Sequence, residues 1–209
     1  MTETGSGITT RRHFLTLTGS SLLVAGCSVI NPPSPQLYML PSKHTYDTSL
    51  PTVNWQLIVA EPVAPESLDT ARIALSHSPT KLDYFADSAW TDRAPVMIQG
   101  LIIESFENTG KIIAVGRLAS DLRADYVLQT ELRDFEARYY HGTEQPPEIY
   151  VRLGAKLVKM PDRIIIGDTN IVQQVQASRN DLESIIGAFD DALGSAMKHL
   201  VEWTLRTPR

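Results

Sequence analysis

Two segments alternate polar and apolar residues so regularly that they limit the fold more than any other feature. In 125–135, Tyr126, Leu128, Thr130 and Leu132 share one face, while Gln129, Glu131 and Arg133 share the other. In 149–158, Ile149, Val151, Leu153, Ala155 and Leu157 alternate with Tyr150, Arg152 and Lys156. A period of two with one apolar face is the pattern of half-buried, antiparallel strands, and the apolar face must be covered by another layer. The cover is supplied by two segments with helical spacing. From Thr91 to Glu107, Ala94, Met97, Ile98, Leu101, Ile102 and Phe106 form one stripe, and Pro95 places the helix start near Thr91 or Asp92. From Asp181 to Leu205, Leu182, Ile185, Ile186, Phe189, Leu193, Ala196, Met197 and Leu200 form another. Asn180 is the expected N-cap of that helix, with Glu183 in capping-box position.

Shorter strands are expected at 37–40, 55–60, 72–77, 82–86 and 111–115, with an interrupted strand at 164–166 and 170–175. The predicted fold is therefore α+β: a mixed or antiparallel sheet with two main helices packed on one face, in a single domain. The chain has 209 residues, 43% of them hydrophobic, which suits one domain and argues against disorder. Its net charge of −5 argues against a broad nucleic-acid-binding face.

The first 26 residues read as an export signal and not as part of this fold. Arg11 and Arg12 precede Phe14-Leu15 and a mildly apolar run ending at Ala25. That run is far shorter than the ~20 residues a membrane span needs. Paired arginines before such a run have the form of a twin-arginine signal, although Thr16 stands where that pattern usually has lysine. The run ends Val24-Ala25-Gly26-Cys27, and Cys27 is the only cysteine in the chain. Small residues before a cysteine form a lipobox, in which the thiol accepts a diacylglycerol and becomes the mature N-terminus. The alternative fate of a lone cysteine, burial in a core, does not suit a residue that ends a signal and precedes Pro32, Pro33 and Pro35.

Residues 27–36 are then a lipidated cysteine and a proline-rich tether, and 37–209 the folded domain. At ~3.1 Å per residue such a tether reaches about 30 Å, so the domain works close to the membrane that holds its lipid. Loss of residues 1–26 removes Arg11, Arg12 and Glu3, which moves the net charge from −5 to −6. Anionic headgroups would repel that surface, so attachment falls to the lipid. Ser28, in place of the aspartate that retains enteric lipoproteins at the inner membrane, favours an outer-membrane location facing the periplasm over inner-membrane retention.

Motifs for catalysis, nucleotide binding and metal binding are missing from the sequence. His44, His77, His141 and His199 are too scattered for a local metal site, and no cofactor is expected. Asp190 and Asp191 are neighbours on a helix and point about 100° apart, so they read as a solvated face. Tyr139 and Tyr140, in the loop leading to Pro146-Pro147, are candidate partner contacts; a hairpin tip packed on its own strands is the equal alternative. Gly187 and Gly194, seven residues apart, would let another backbone approach the last helix, most simply the domain's own sheet.

Several blocks in order resemble the ABC-type transport auxiliary lipoproteins, the family of paraquat-inducible protein C. They are Leu37-Tyr38-Met39-Leu40, Leu68-Asp69-Thr70 with Arg72-Ile73, and Leu82-Asp83-Tyr84. Then come Trp90-Thr91-Asp92-Arg93-Ala94-Pro95, Phe106-Glu107 and Ala114-Val115. Ala124-Asp125-Tyr126-Val127-Leu128 and Leu132-Arg133-Asp134-Phe135-Glu136 complete the set. The resemblance implies a non-enzymatic subunit of an envelope transporter, with Cys27 as its modified residue. Its implied partners are an MCE-domain protein that bridges the periplasm and the permease and ATPase of the same system, and the implied cargo is a lipid or another hydrophobic compound. Self-association stays open. The competing reading is an outer-membrane lipoprotein that binds and regulates a cell-wall synthesis enzyme.

Overall fold

A computed structural model describes residues 34–118 and 123–208. In chain order the strands are β1 (Gln36–Tyr38), β2 (Gln56–Val59), β3 (Arg72–Ser78), β4 (Lys81–Trp90) and β5 (Ala114–Arg117), with helix α1 (Ala94–Glu107) between β4 and β5. Strands β6 (Tyr126–Arg138), β7 (Glu148–Lys159) and β8 (Ile164–Gln176) then form a meander, followed by helix α2 (Leu182–Arg206). All eight strands belong to one mixed, curled sheet, so the fold is the expected single α+β domain.

β6 organises this sheet. One of its edges pairs along its length with β7, antiparallel, and β7 pairs likewise with β8. The other edge is shared: β2 runs parallel to it at Tyr126–Leu128, and β3 runs parallel at Glu136–Arg138. β5 extends the sheet beyond β2, while β4 and then β1 extend it beyond β3. A β-bulge lets one strand serve both partners. Leu132 pairs with Leu153 and Asp134 with Arg152, which leaves Arg133 as an extra residue. The side-chain phase changes there, so Phe135 and Ala137 return to the covered face that Leu128 and Leu132 occupy upstream.

The two helices pack against each other and cover one face of the sheet, α2 over β7 and β8 and α1 over β2 and β5. The centre of this core is aromatic. The rings of Trp90, Phe135 and Phe189 lie 4.9–5.4 Å apart, with Phe189 edge-on to the other two. Such contacts add about 0.5–1.5 kcal/mol per pair beyond simple burial.

Several expected boundaries move. α1 begins at Ala94 with Pro95 in its first turn, where a missing N–H costs nothing. The strand expected at 111–115 is found at Ala114–Arg117, and ahead of it the Lys111 carbonyl accepts from Val53 N–H at 2.7 Å, in line with the β2–β5 register. The interruption expected in the last strand is absent, and β8 is continuous across Gly167 and Asp168. Gly167 sits there because α2 crosses closely: an added Cβ would lie 2.8 Å from Thr207 Cγ2 and 3.2 Å from Trp203 Cζ2. Gly187 and Gly194 have no such role. Gly187 has nothing within 4 Å of a would-be Cβ, and Gly194 meets only the Lys43 side chain.

The N-cap of α2 is Asp181, one residue beyond the expected Asn180. Asp181 Oδ1 accepts from Ser184 N–H at 2.9 Å. Asn180 is occupied elsewhere, accepting from the Tyr139 hydroxyl at 2.9 Å and donating to Thr143 O at 2.7 Å. The Arg179 guanidinium, and then the Ser184 bonds, push the Asp181 pKa down to about 2. A lowered carboxylate pKa stabilises the fold fully above its unfolded value near 4, and this contribution fades as pH falls toward 2. Asp181→Ala is therefore expected to lower Tm at pH 6 and to lose most of that difference by pH 2. Thermal melts across that range check it, and a gap that stays constant would overturn it.

Candidate functional site

Among the described residues no helix covers the opposite, bare face of the sheet, and the Arg133 bulge decides what that face carries. Arg133 and Asp134 both fall on the bare side, joining Glu131 and Glu136. Upstream of the bulge, Arg133 donates through Nε and Nη2 to Glu131 Oε2 at 2.9 and 2.8 Å, and through Nη1 to Asn170 Oδ1 at 3.2 Å. Its guanidinium crosses β7 at Gly154, where an added Cβ would sit 3.0 Å from Cζ. Glycine at this position lets one arginine link β6 to β8.

Downstream, Asp134 accepts from Arg138 at 3.0 Å and from Arg152 at 2.5 Å, and Glu136 accepts from Arg138 Nε at 2.7 Å. The Arg138 guanidinium carbon stands 3.4 Å from the centre of the Tyr150 ring, a cation–π stack. Burial works to lower the Arg138 pKa. The Glu136 hydrogen bond and the charges of Glu136 and Asp134 outweigh it and hold the guanidinium above its usual value. Opposite charges thus neutralise each other within the face. Two shallow concavities mark it. One, of about 300 Å³, is lined by Val63, Glu131, Arg133, Gly154 and Asn170 among others. The other, of about 450 Å³, lies beside Ser76, Glu136, Arg138 and Tyr140.

The two candidate tyrosines diverge. Tyr139 is 9% exposed, packs near His77 and Phe85, and holds Asn180, while burial raises its pKa. Tyr140 is 39% exposed at the rim of the second concavity, with its hydroxyl accepting from Ser76 Oγ at 3.4 Å. Cys27, Arg11 and Arg12 lie outside the described residues. No group of three metal-ligating side chains occurs among the described residues. His199 bonds Gln173 through Nδ1 at 3.0 Å. Asp190 is half-buried and Asp191 exposed; burial first, and then Asp191, raises the Asp190 pKa, while Lys43 opposes this. Among the described residues, no helix is long and apolar enough to cross a membrane.

The most characteristic motif residues do structural work. Arg93 joins Asp69 and, at 2.8 Å, Glu61. Ala94 N–H bonds Thr70 O at 3.0 Å, so the Leu68-Asp69-Thr70 and Trp90–Pro95 blocks are fastened together at the start of α1. Sequence reading identified those blocks but missed Gly154, the Arg138–Tyr150 stack and the continuity of β8, all of which depend on the register between neighbouring strands of the meander.

Fold and face together define an α+β domain in which two helices cover one side of a curled, mixed sheet. The chain belongs to the family of ABC-type transport auxiliary lipoprotein components, whose family model matches residues 38–201. This is a family of transport auxiliary lipoproteins of the bacterial envelope and not an enzyme family. A crystal structure of a Xanthomonas campestris protein is 31% identical, with a TM-score of 0.77 over 82% of this chain and 95% of that one. An uncharacterised protein of known structure shares the fold at 10% identity, with a TM-score of 0.63 over 81% of this chain and 97% of that one. An uncharacterised protein of Bradyrhizobium diazoefficiens is 26% identical over 171 residues, 78% of this chain. The match spans 45% of that relative's length.

Proposed function

We propose that this chain is the lipid-anchored docking subunit of an MCE-type intermembrane transport system, held through Cys27 at the outer membrane and facing the periplasm. The observation that carries this reading is the extent of the family match. Residues 38–201 take in nearly the whole folded domain, and the leader, Cys27 and the proline-rich tether lie ahead of it. The family's role in transport attaches to the domain, and the lipobox supplies its anchor. A tether reaching only about 30 Å keeps the domain at its membrane, so a bridging component has to come to it. The cargo is a lipid or a comparable hydrophobic compound, handled by the partner complex.

The test is chemical crosslinking in intact cells, followed by affinity purification of the full-length lipoprotein from envelopes. Enrichment of an MCE-domain protein together with a transporter permease is the expected result. Recovery of neither overturns the proposal, and enrichment of a penicillin-binding protein in their place transfers the role to cell-wall synthesis.

A further inference from the structure

The proline-rich tether hands over to the domain at one corner of the bare face, where β1 joins the sheet beside β4. Tyr38 pairs with Trp90 and packs against the core, and Leu40 is only 4% exposed. Side chains alternate along extended chain, so Leu37 and Met39 turn to the other side of the sheet. There they are 59% and 72% exposed.

A cation stands in line with them. Leu37 pairs with Ala89 of β4, and Ala89 with Arg72 of β3, so the three share the bare side. Two strand spacings of ~4.8 Å set Arg72 about 10 Å from Leu37. The Arg72 guanidinium carbon lies 3.6 Å from the centre of the Tyr84 ring, a cation–π stack that fixes its position. Elsewhere on this face Arg133, Arg138 and Arg152 each pair with a carboxylate, whereas Arg72 forms no ion pair among the described residues. Two exposed apolar side chains beside an arginine without an anionic partner match the boundary of a lipid layer, with acyl chains below and phosphate above.

We propose that Leu37 and Met39 rest in the interfacial layer of the phospholipid bilayer that holds Cys27, with Arg72 on a headgroup phosphate, while the far end of the bare face stays in water. The inference rests on Cys27 as the acylated residue. Chain length then names the occupant. Only residues 28–36 separate Cys27 from Leu37, about 30 Å when extended, so the bilayer is always within reach of this corner. A contact made by a tethered domain is intramolecular, so two side chains and one cation suffice where an untethered domain would not bind. The chain beyond residue 26 carries a net charge of −6 once Arg11, Arg12 and Glu3 are removed from the total, so a zwitterionic headgroup suits it better than an anionic one.

Cys27 is the only cysteine and its thiol is consumed by acylation, so Met39→Cys supplies a single free thiol for the environment-sensitive fluorophore NBD. The labelled full-length lipoprotein is reconstituted into phosphatidylcholine vesicles with and without doxyl-labelled phosphatidylcholine. Emission at position 39 is expected to shift to the blue and to be quenched by the doxyl lipid. The same label at Val172→Cys, exposed on β8 at the far end of the bare face, is expected to stay in water. Leu37→Asp is expected to cut the quenching at position 39 several-fold, and Arg72→Gln to weaken it, with both variants keeping their Tm. A label at 39 that stays in water on an acylated, vesicle-bound chain overturns this contact alone. Equal quenching at Val172, or undiminished quenching in a folded Leu37→Asp variant, does the same. A chain that takes up no fatty acid at Cys27 overturns the anchor and this contact together.

Discussion

Phe189→Ala is expected to destabilise the domain by about 3–5 kcal/mol and to lower Tm by roughly 6–20 °C. Phe189 is fully buried on α2 and meets both Trp90 and Phe135. Those three residues come from α2, β4 and β6, which are joined only through tertiary packing. Removing the ring therefore leaves a cavity where the helix layer meets the sheet, and both remaining rings lose an edge contact. Phe189→Leu keeps more of the volume and is expected to cost clearly less. Denaturant unfolding of both variants checks this. A Phe189→Ala loss below about 1 kcal/mol would mean that the aromatic cluster is not the structural centre of the domain.

Cys27→Ala is expected to abolish incorporation of radioactive fatty acid and to leave a domain that is soluble once released from its leader. Each acyl chain contributes ~0.8 kcal/mol per buried CH₂, and two or more chains hold a protein at the bilayer. Nothing electrostatic replaces them, because the chain beyond residue 26 carries a net charge of −6 once Arg11, Arg12 and Glu3 are removed from the total. Metabolic labelling followed by membrane fractionation reads both effects. Labelling that persists in the variant would show that Cys27 is not the acylated residue.

Much of the fold is legible from local periodicity. The alternation in 125–135 and 149–158 predicts β6 and β7, and the helical stripes predict α1 and α2, because burial of one face imposes its period on the sequence. The same reasoning stops where two local choices are equivalent. Asn180 and Asp181 are both competent N-caps, and the choice falls to Asp181 because Tyr139, distant in sequence, engages Asn180. Gly167 and Asp168 read as a strand break, yet Gly167 is where α2 presses on a continuous β8.

The bare face shows the division most clearly. Its residues are visible in the sequence as the polar half of an alternating pattern, but their pairing into Arg133–Glu131–Asn170 and Arg138–Asp134–Arg152 depends on register. The sequence by itself determined the two helices, the long strands β6 and β7, and the covered side of β7 and of β6 ahead of its bulge. Only the tertiary structure decided that β6 shares one edge between β2 and β3, that Tyr139 turns inward while Tyr140 stays at a rim, and that β8, among the described residues, lies at an end of the sheet. Periodicity is local and follows from burial, whereas strand partners and free edges are set by contacts between segments far apart along the chain.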